Sequence, residues 1–248
     1  RDDVESRGLG DVYKRQFLRR EAVRMSEKRL EINVDEAVRY MGYRSEPDEI
    51  QMDMILRCRD KLESELKPAW VYRAFDLQHC EDGVSLIGTK LKFTGEDIKR
   101  HLQGCGRCIL LCATASSKAD ELIRRAESED IALGFMTDCL ASAAVEAVCN
   151  MIEEEIAEKL SGKYLTWRFS PGYGDFPLEI QPQIIKTLDA EKRAGVTCTE
   201  SLLMIPRKSV TAVIGVSDKP LDKGRRGCAV CNMAGRCQFR KRGTHCGY

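Results

Sequence analysis

The chain has 248 residues, 43% of them hydrophobic and 32% charged, with a formal net charge of +1. That composition excludes a disordered protein and describes a soluble globular one, long enough for one large domain or for a domain with appendages. No apolar run approaches the roughly 20 residues that span a bilayer, and the twelve cysteines, with no charged-then-apolar leader, read as those of a reducing cytoplasm.

Charge is spread unevenly along the chain. Residues 219–248 hold eight Lys or Arg against one acid, a local +7 that leaves −6 for the rest. A basic tail on an acidic body fits an anionic partner surface or an intramolecular contact, and equally a solvated tail. Residues 1–16 are polar and without periodicity, and read as a non-native or disordered leader. The expected organisation is this leader, a globular domain over 17–220 and a basic, Cys-rich tail over 221–248.

Asn33 or Asp35 is a cap for a short helix to Met41, closed by Gly42. Pro47-Asp48 opens a longer helix to about residue 66, with Met52, Ile55, Leu56, Leu62 and Leu66 apolar and Pro68 as its stop. Residues 70–75 read as a strand, and 84–86 with 90–93 as a hairpin around Gly88. Thr94 is placed to cap a helix over 96–102. The continuous apolar run 108–114 reads as a buried strand, followed by a helix from Ser116 or Ser117 to about Ala126.

The spacing predicts the next helix over 138–160, closed by Gly162. Leu140, Ala144, Val148, Ile152, Ile156 and Leu160 recur every four residues as one buried ridge, and the other faces of its first half are also small or apolar. Glu146 is the single charge from Cys139 to Met151. A carboxylate in that setting must be paired, hydrogen-bonded or protonated. Two partners fit it, a core Arg such as Arg168 or a ligand ammonium. Beyond it, 182–194 reads as a helix with Ile184, Ile185 and Leu188 inward and Gly195 as the stop, and 209–217 as an alternating strand. Helices and strands mix without a βαβ rhythm, which gives an α+β fold.

Between the last two helices lies Arg168-Phe169-Ser170-Pro171-Gly172-Tyr173-Gly174-Asp175-Phe176-Pro177. Pro fixes φ and Gly frees it, so this is a shaped loop. Leu165, Trp167 and Phe169 alternate with Thr166, Arg168 and Ser170, as in a half-buried strand that delivers Arg168 to the loop mouth. An Arg fork beside backbone amides suits a carboxylate or phosphate, and a turn in which the Arg bridges to a nearby carboxylate fits the same residues.

A second stretch follows: Thr199-Glu200-Ser201-Leu202-Leu203-Met204-Ile205-Pro206-Arg207-Lys208-Ser209-Val210. Together, Arg-x-x-x-Gly-Tyr and Thr-Glu-Ser-x-x-Met-x-Pro-x-x-Ser-Val resemble the activation domain of cobalamin-dependent methionine synthase, specifically over 138–220 and faintly over 34–137. The homocysteine, folate and cobalamin modules have no room in this length, so the resemblance implies a stand-alone activation domain. Its fold would be mixed helices around a mainly antiparallel sheet.

The resemblance implies an S-adenosylmethionine site. Arg168 would hold the ligand carboxylate, and Tyr173 with the Gly172 amide and Gly174 would line the nucleoside pocket. Glu146, in Val145-Glu146-Ala147, matches an acid of the family's site. The family's further acid, near the start of its domain, has no counterpart legible here. Ser201 and Ser209 are pocket-floor candidates, though Ser in such places is more often a backbone hydrogen bonder. The family function is reductive methylation that returns oxidised cobalamin to activity, with no general base required. The implied partners are a corrinoid-binding protein or methionine synthase subunit that holds the cobalamin, and an electron donor such as a flavodoxin or ferredoxin. On this reading the chain is an activation subunit rather than a complete methyltransferase.

The tail carries Cys228-x-x-Cys231-x5-Cys237-x8-Cys246 with His245 beside it. Four thiols so spaced can close on zinc or an iron–sulfur cluster, although the gaps depart from the usual paired CxxC ribbon. Free thiols on an unstructured tail are the bland alternative. A cluster would make the chain an electron-transfer or reactivation protein for a corrinoid protein. A zinc-clamped basic tail would make it a nucleic-acid binder, the weakest reading, because the body is acidic. Cys105 and Cys108 read as core, and His79 and His101 as surface or helix-end residues.

Overall fold

In the computed structural model, residues 30–43 and 45–221 are described, together with Gly235. The helices are α1 (Val34–Met41), α2 (Glu49–Glu65), α3 (Glu96–His101), α4 (Ser117–Glu129), α5 (Ile131–Lys159), α6 (Gln181–Leu188) and α7 (Ala190–Ala194). The strands are β1 (Ala69–Cys80), β2 (Gly83–Leu86), β3 (Lys92–Phe93), β4 (Arg107–Thr114), β5 (Tyr164–Leu165), β6 (Thr197–Cys198), β7 (Met204–Ile205) and β8 (Ser209–Ser217). Six strands form one sheet in the order β3-β2-β1-β4-β8-β5, and β6 with β7 makes a separate hairpin. Every pairing is antiparallel. The fold is α+β, as expected from the sequence.

Both faces of the central strands are covered. Ile109, Leu111 and Ala113 of β4 point into a core with Trp70, Tyr72, Ile214 and the apolar sides of α1, α2, α4 and α5. Cys108, Leu110 and Cys112 point the other way, into a second core with Val71, Phe93, Val213, α3, α6 and α7. A strand sandwiched this way has no polar face, which is why 108–114 is one apolar run.

Several elements depart from the sequence expectation. The strand expected over 70–75 runs from Ala69 to Cys80. The helix expected from Asp138 starts at Ile131, two turns earlier. Asp130 is its cap, accepting from the amides of Ala132 at 2.6 Å and Leu133 at 3.1 Å. Gly134 sits inside that first stretch because α4 passes close by. A Cβ there would lie 2.8 Å from the Cα of Glu127. The helix expected over 182–194 is broken at Asp189, which is left-handed with φ 52°.

Among the described residues α5 is the one helix long and apolar enough to cross a membrane, a length the sequence reading did not credit. Here it is packed core: Leu140, Ala144, Val148, Ile152, Ile156 and Leu160 are all buried, as their spacing predicted.

Candidate functional site

The site is assembled on one side of α5. Asp138, Ser142, Glu146, Asn150 and Glu153 follow one another at intervals of four, four, four and three residues, so they share a stripe along the helix. Both sequence motifs land on it. From the second motif, Lys208 Nζ donates to Ser142 Oγ at 2.8 Å and pairs with Asp138 at 2.9 Å, and Arg207 pairs with Asp138 at 3.6 Å. From the first, Arg168 Nη2 donates to Glu146 Oε2 at 2.9 Å, and Nη1 reaches Asn150 Oδ1 and Glu153 Oε1, each at 2.9 Å. The carboxylate–Arg bridge foreseen as the bland reading of Glu146 therefore exists.

Arg168 reaches that stripe through an irregularity in its strand. Leu165 pairs with Val216 and Phe169 with Val213. Four steps on one chain thus match three on the other, the one-residue surplus of a β-bulge. Thr166 stabilises the bend by accepting from the Gly215 amide at 2.7 Å and meeting His101 Nε2 at 2.8 Å. An extra residue inverts the facing pattern beyond it. Leu165 packs on the α5 core and Phe169 on the opposite core. The strict alternation read from the sequence, with Leu165 and Phe169 on one side, does not hold.

The first helix supplies residues that sequence reasoning missed. Tyr40 Oη donates to Glu36 Oε1 at 2.7 Å, and both groups lie close enough to Glu146 to interact with it electrostatically. Burial holds the Glu146 carboxyl above the ordinary carboxylate range; Arg168 pulls it down and Glu36 pushes it up. Burial, the bond to Glu36 and the nearby acids push the Tyr40 hydroxyl up as well. Glu146 and Glu153 thus share one guanidinium, and Glu36 lies close enough to Glu146 to act on it. The i to i+4 spacing of Glu36 and Tyr40 was legible, but nothing in it pointed at a helix more than a hundred residues away.

The loop residues are held by different partners. Gly172 and Gly174 have φ of 89° and 57°, in the left-handed region that glycine tolerates. The Gly172 amide, expected to face a ligand, donates to the Phe176 carbonyl at 2.9 Å. Tyr173 is 63% exposed, with its ring 6.4 Å from that of Phe169. Phe169 in turn stacks on His101 and Phe176, so the loop sits against the second core while Arg168 sits against α5. His101, expected at a surface or a helix end, ends α3 but is buried.

In the second motif, Ser209 Oγ donates to the Pro206 carbonyl at 2.6 Å and Ser201 Oγ meets Thr199 Oγ1 at 2.9 Å. These are local ties that shape the turn. Gln181, buried, donates to the Leu202 carbonyl at 2.8 Å and fastens the hairpin to α6.

Cys105 and Cys108 are buried, and burial pushes both thiols up, Cys105 to about 11. Both are therefore protonated at neutral pH, which suits core packing. A groove lined by His79, Cys80, Lys99, Arg100 and Cys105 opens beside α3 and shares none of the predicted ligand residues. Among the described residues, no group of three or more His, Cys, Asp or Glu is arranged to hold a metal ion. Cys228, Cys231, Cys237 and Cys246 lie outside the described residues, as do residues 1–16.

Residues 107–220 match the family described as vitamin B12 dependent methionine synthase, activation domain. The chain is also similar to a crystal structure of the MetH reactivation domain bound to AdoHcy. The TM-score is 0.60 at 17% identity, covering 92% of this chain and 86% of that one. No curated protein matches the sequence. The sequence match to that activation domain is confined to residues 107–220, and the fold of the chain is that of the reactivation domain.

Proposed function

We propose that this activation-domain chain binds S-adenosylmethionine and its demethylated product on the α5 stripe, and presents the methyl donor to a cobalamin held by a partner corrinoid protein or methionine synthase module. The observation that carries the reading is the meeting of both motifs on one face of α5, with Arg168 set against Glu146.

The residues suit the amino-acid end of such a ligand. Its carboxylate and ammonium are opposite charges a few ångströms apart, and Arg168 and Glu146 are an opposed pair of the same kind. A zwitterion that enters between them gives each a new counter-charge, so neither is left buried and unpaired. Arg168 then holds the carboxylate, and Glu146 the ammonium. Glu36, with Tyr40 on its carboxylate, supplies the acid from the start of the domain that the family places at its ligand. The surplus of carboxylates favours the cationic side of the ligand. Tyr173 and the turn at Gly172 and Gly174 close over the nucleoside.

The bound ligand would supply an electrophilic methyl on a sulfonium, to be taken by reduced cobalt. The chain's own share is to bind, orient and exclude water. A flavodoxin- or ferredoxin-type donor would provide the electron, and the cytoplasm the setting. A zinc or iron–sulfur centre on Cys228, Cys231, Cys237 and Cys246 remains a proposal from spacing alone; metal and sulfide analysis of anaerobically prepared protein tests it.

The test of the main reading is calorimetric titration with S-adenosylmethionine and S-adenosylhomocysteine. Saturable binding that is lost in Arg168→Ala is expected. Absence of binding to the intact protein would overturn it.

A further inference from the structure

We propose that Asp175 is a positioning residue for the ligand loop, acting through a reciprocal clamp with Asp97 of α3. The proposal rests on the reading of Gly172, Tyr173 and Gly174 as a ligand-closing turn.

The clamp is built from both sides. Asp175 Oδ2 accepts from the Glu96 amide at 2.7 Å, and Oδ1 from the Asp97 amide at 2.9 Å. These are amides of the first turn of α3, which have no partner within the helix. No side chain of the residues before α3 caps it, so the cap expected from Thr94 comes instead from a residue 78 positions away. In return Asp97 Oδ2 accepts from the Asp175 amide at 3.2 Å. Each aspartate thus holds the other's backbone.

Two glycines make the approach close enough. A Cβ on Gly174 would lie 2.1 Å from Asp97 Oδ2, and one on Gly95 would lie 2.7 Å from both the carbonyl oxygen and Oδ1 of Asp175. Both have positive φ, 57° and 114°. A side chain at either position would wedge the two segments apart. Such mutual fitting exceeds what a cap alone needs and fixes the loop in three dimensions.

What it fixes is the turn that carries Tyr173. Phe176 anchors one end of the loop in the second core, 5.2 Å from Phe93 between ring centroids. Asp175 is the adjoining residue, and Gly174 and Tyr173 follow directly toward Arg168. Phe176 and the Phe169–Val213 pairing hold the two ends of the loop, and the Gly172 amide ties it to the Phe176 carbonyl. The clamp adds a tie to a separate element, α3, beside Tyr173, and holds Tyr173 in one orientation relative to Arg168. The loop's entropy is then spent in folding and not in ligand binding.

The test compares the intact protein with Asp175→Asn and Asp175→Ala. An Asn keeps one acceptor of two, and an Ala keeps none, so a graded series is expected. Amide hydrogen exchange over 170–177 and at Glu96 and Asp97 should speed up in the order Asp, Asn, Ala, by more than the small accompanying fall in melting temperature accounts for. S-adenosylhomocysteine affinity by calorimetry should fall in the same order, to about a tenfold loss in Asp175→Ala. Unchanged exchange of the loop in Asp175→Ala would overturn the clamp, whatever the affinity. Faster exchange with unaltered affinity would overturn its role in positioning. If the intact protein binds no S-adenosylhomocysteine, the functional reading fails and the positioning role with it, while the exchange series still decides the clamp.

Discussion

Arg168 and Glu146 are 22 residues apart in the chain and joined at 2.9 Å by a charge-assisted hydrogen bond. Their side chains are 16% and 34% exposed, so the pair is partly desolvated yet open to a ligand. Such a pair is weak evidence for stability by itself, but breaking it from one side leaves a charge without its partner. That asymmetry yields the first prediction. Arg168→Ala should lower the stability of the ligand-free protein by about 1–2 kcal/mol, less than a fully buried pair would cost. The Arg168→Ala/Glu146→Gln double variant should recover part of that loss. Denaturant midpoints of the single and double variants measure the coupling. Strict additivity of the two would show that the contact contributes nothing.

The same pair should control ligand affinity. Glu146→Gln keeps the shape and removes the charge, so S-adenosylmethionine binding should weaken about ten- to hundredfold, the range for a lost charged hydrogen bond. Calorimetry on that variant checks it. A Glu146→Gln protein that binds like the original would remove Glu146 from the site.

Acid titration should act in opposite senses at two carboxyls. The amides of Asp97 and Glu96 hold Asp175 below the ordinary carboxylate range. A depressed folded value means stabilisation that is present above the unfolded value and lost as pH falls through the folded one. Loop protection should therefore fade only at strongly acid pH. Glu146 is held high by burial. The folded state then keeps its proton where the unfolded state has lost it, so stability falls as pH rises from the ordinary carboxylate range through the folded value. Carboxyl carbon chemical shifts followed against pH should show the two midpoints displaced in these directions. Coincident midpoints at the usual value would refute both.

Gly134→Ala offers a test of packing against propensity. In an open helix this exchange stabilises by up to about 1 kcal/mol. Here the new Cβ would meet Glu127 at 2.4 Å from Cγ and 2.8 Å from Cα, the latter backbone that cannot swing away. A loss of about 1–3 kcal/mol is expected from overpacking, read as a lower thermal midpoint. A rise would mean that α4 and α5 separate easily.

Gln181→Leu removes the donor to the Leu202 carbonyl and the acceptor of the Thr211 hydroxyl, at 2.8 and 3.3 Å. Two polar groups then lose a partner at a buried position. A destabilisation of about 1–3 kcal/mol is expected, with faster amide exchange in the β6–β7 hairpin. Unchanged hairpin exchange would show that Gln181 is not its tether.

Local chemistry fixed much of this protein in advance. Asn33, one of the two caps the sequence offered, the helix start at Asp48 and the stop at Gly42 are in the structure where short-range rules put them. The ridge from Leu140 to Leu160 and the two-faced strand β4 were legible because burial repeats with the period of each element. The motif residues were legible as well, through resemblance. What the sequence could not reveal depends on distant partners. Asp175, and not Thr94, caps α3, because the donor and acceptor meet only when the loop docks. The surplus residue near Thr166 is invisible in an alternating pattern, yet it turns Arg168 toward Glu146. Glu36 and Tyr40 join the site because α1 is packed against α5. Periodicity reports which side of an element is buried; only the assembled sheet decides what stands opposite it.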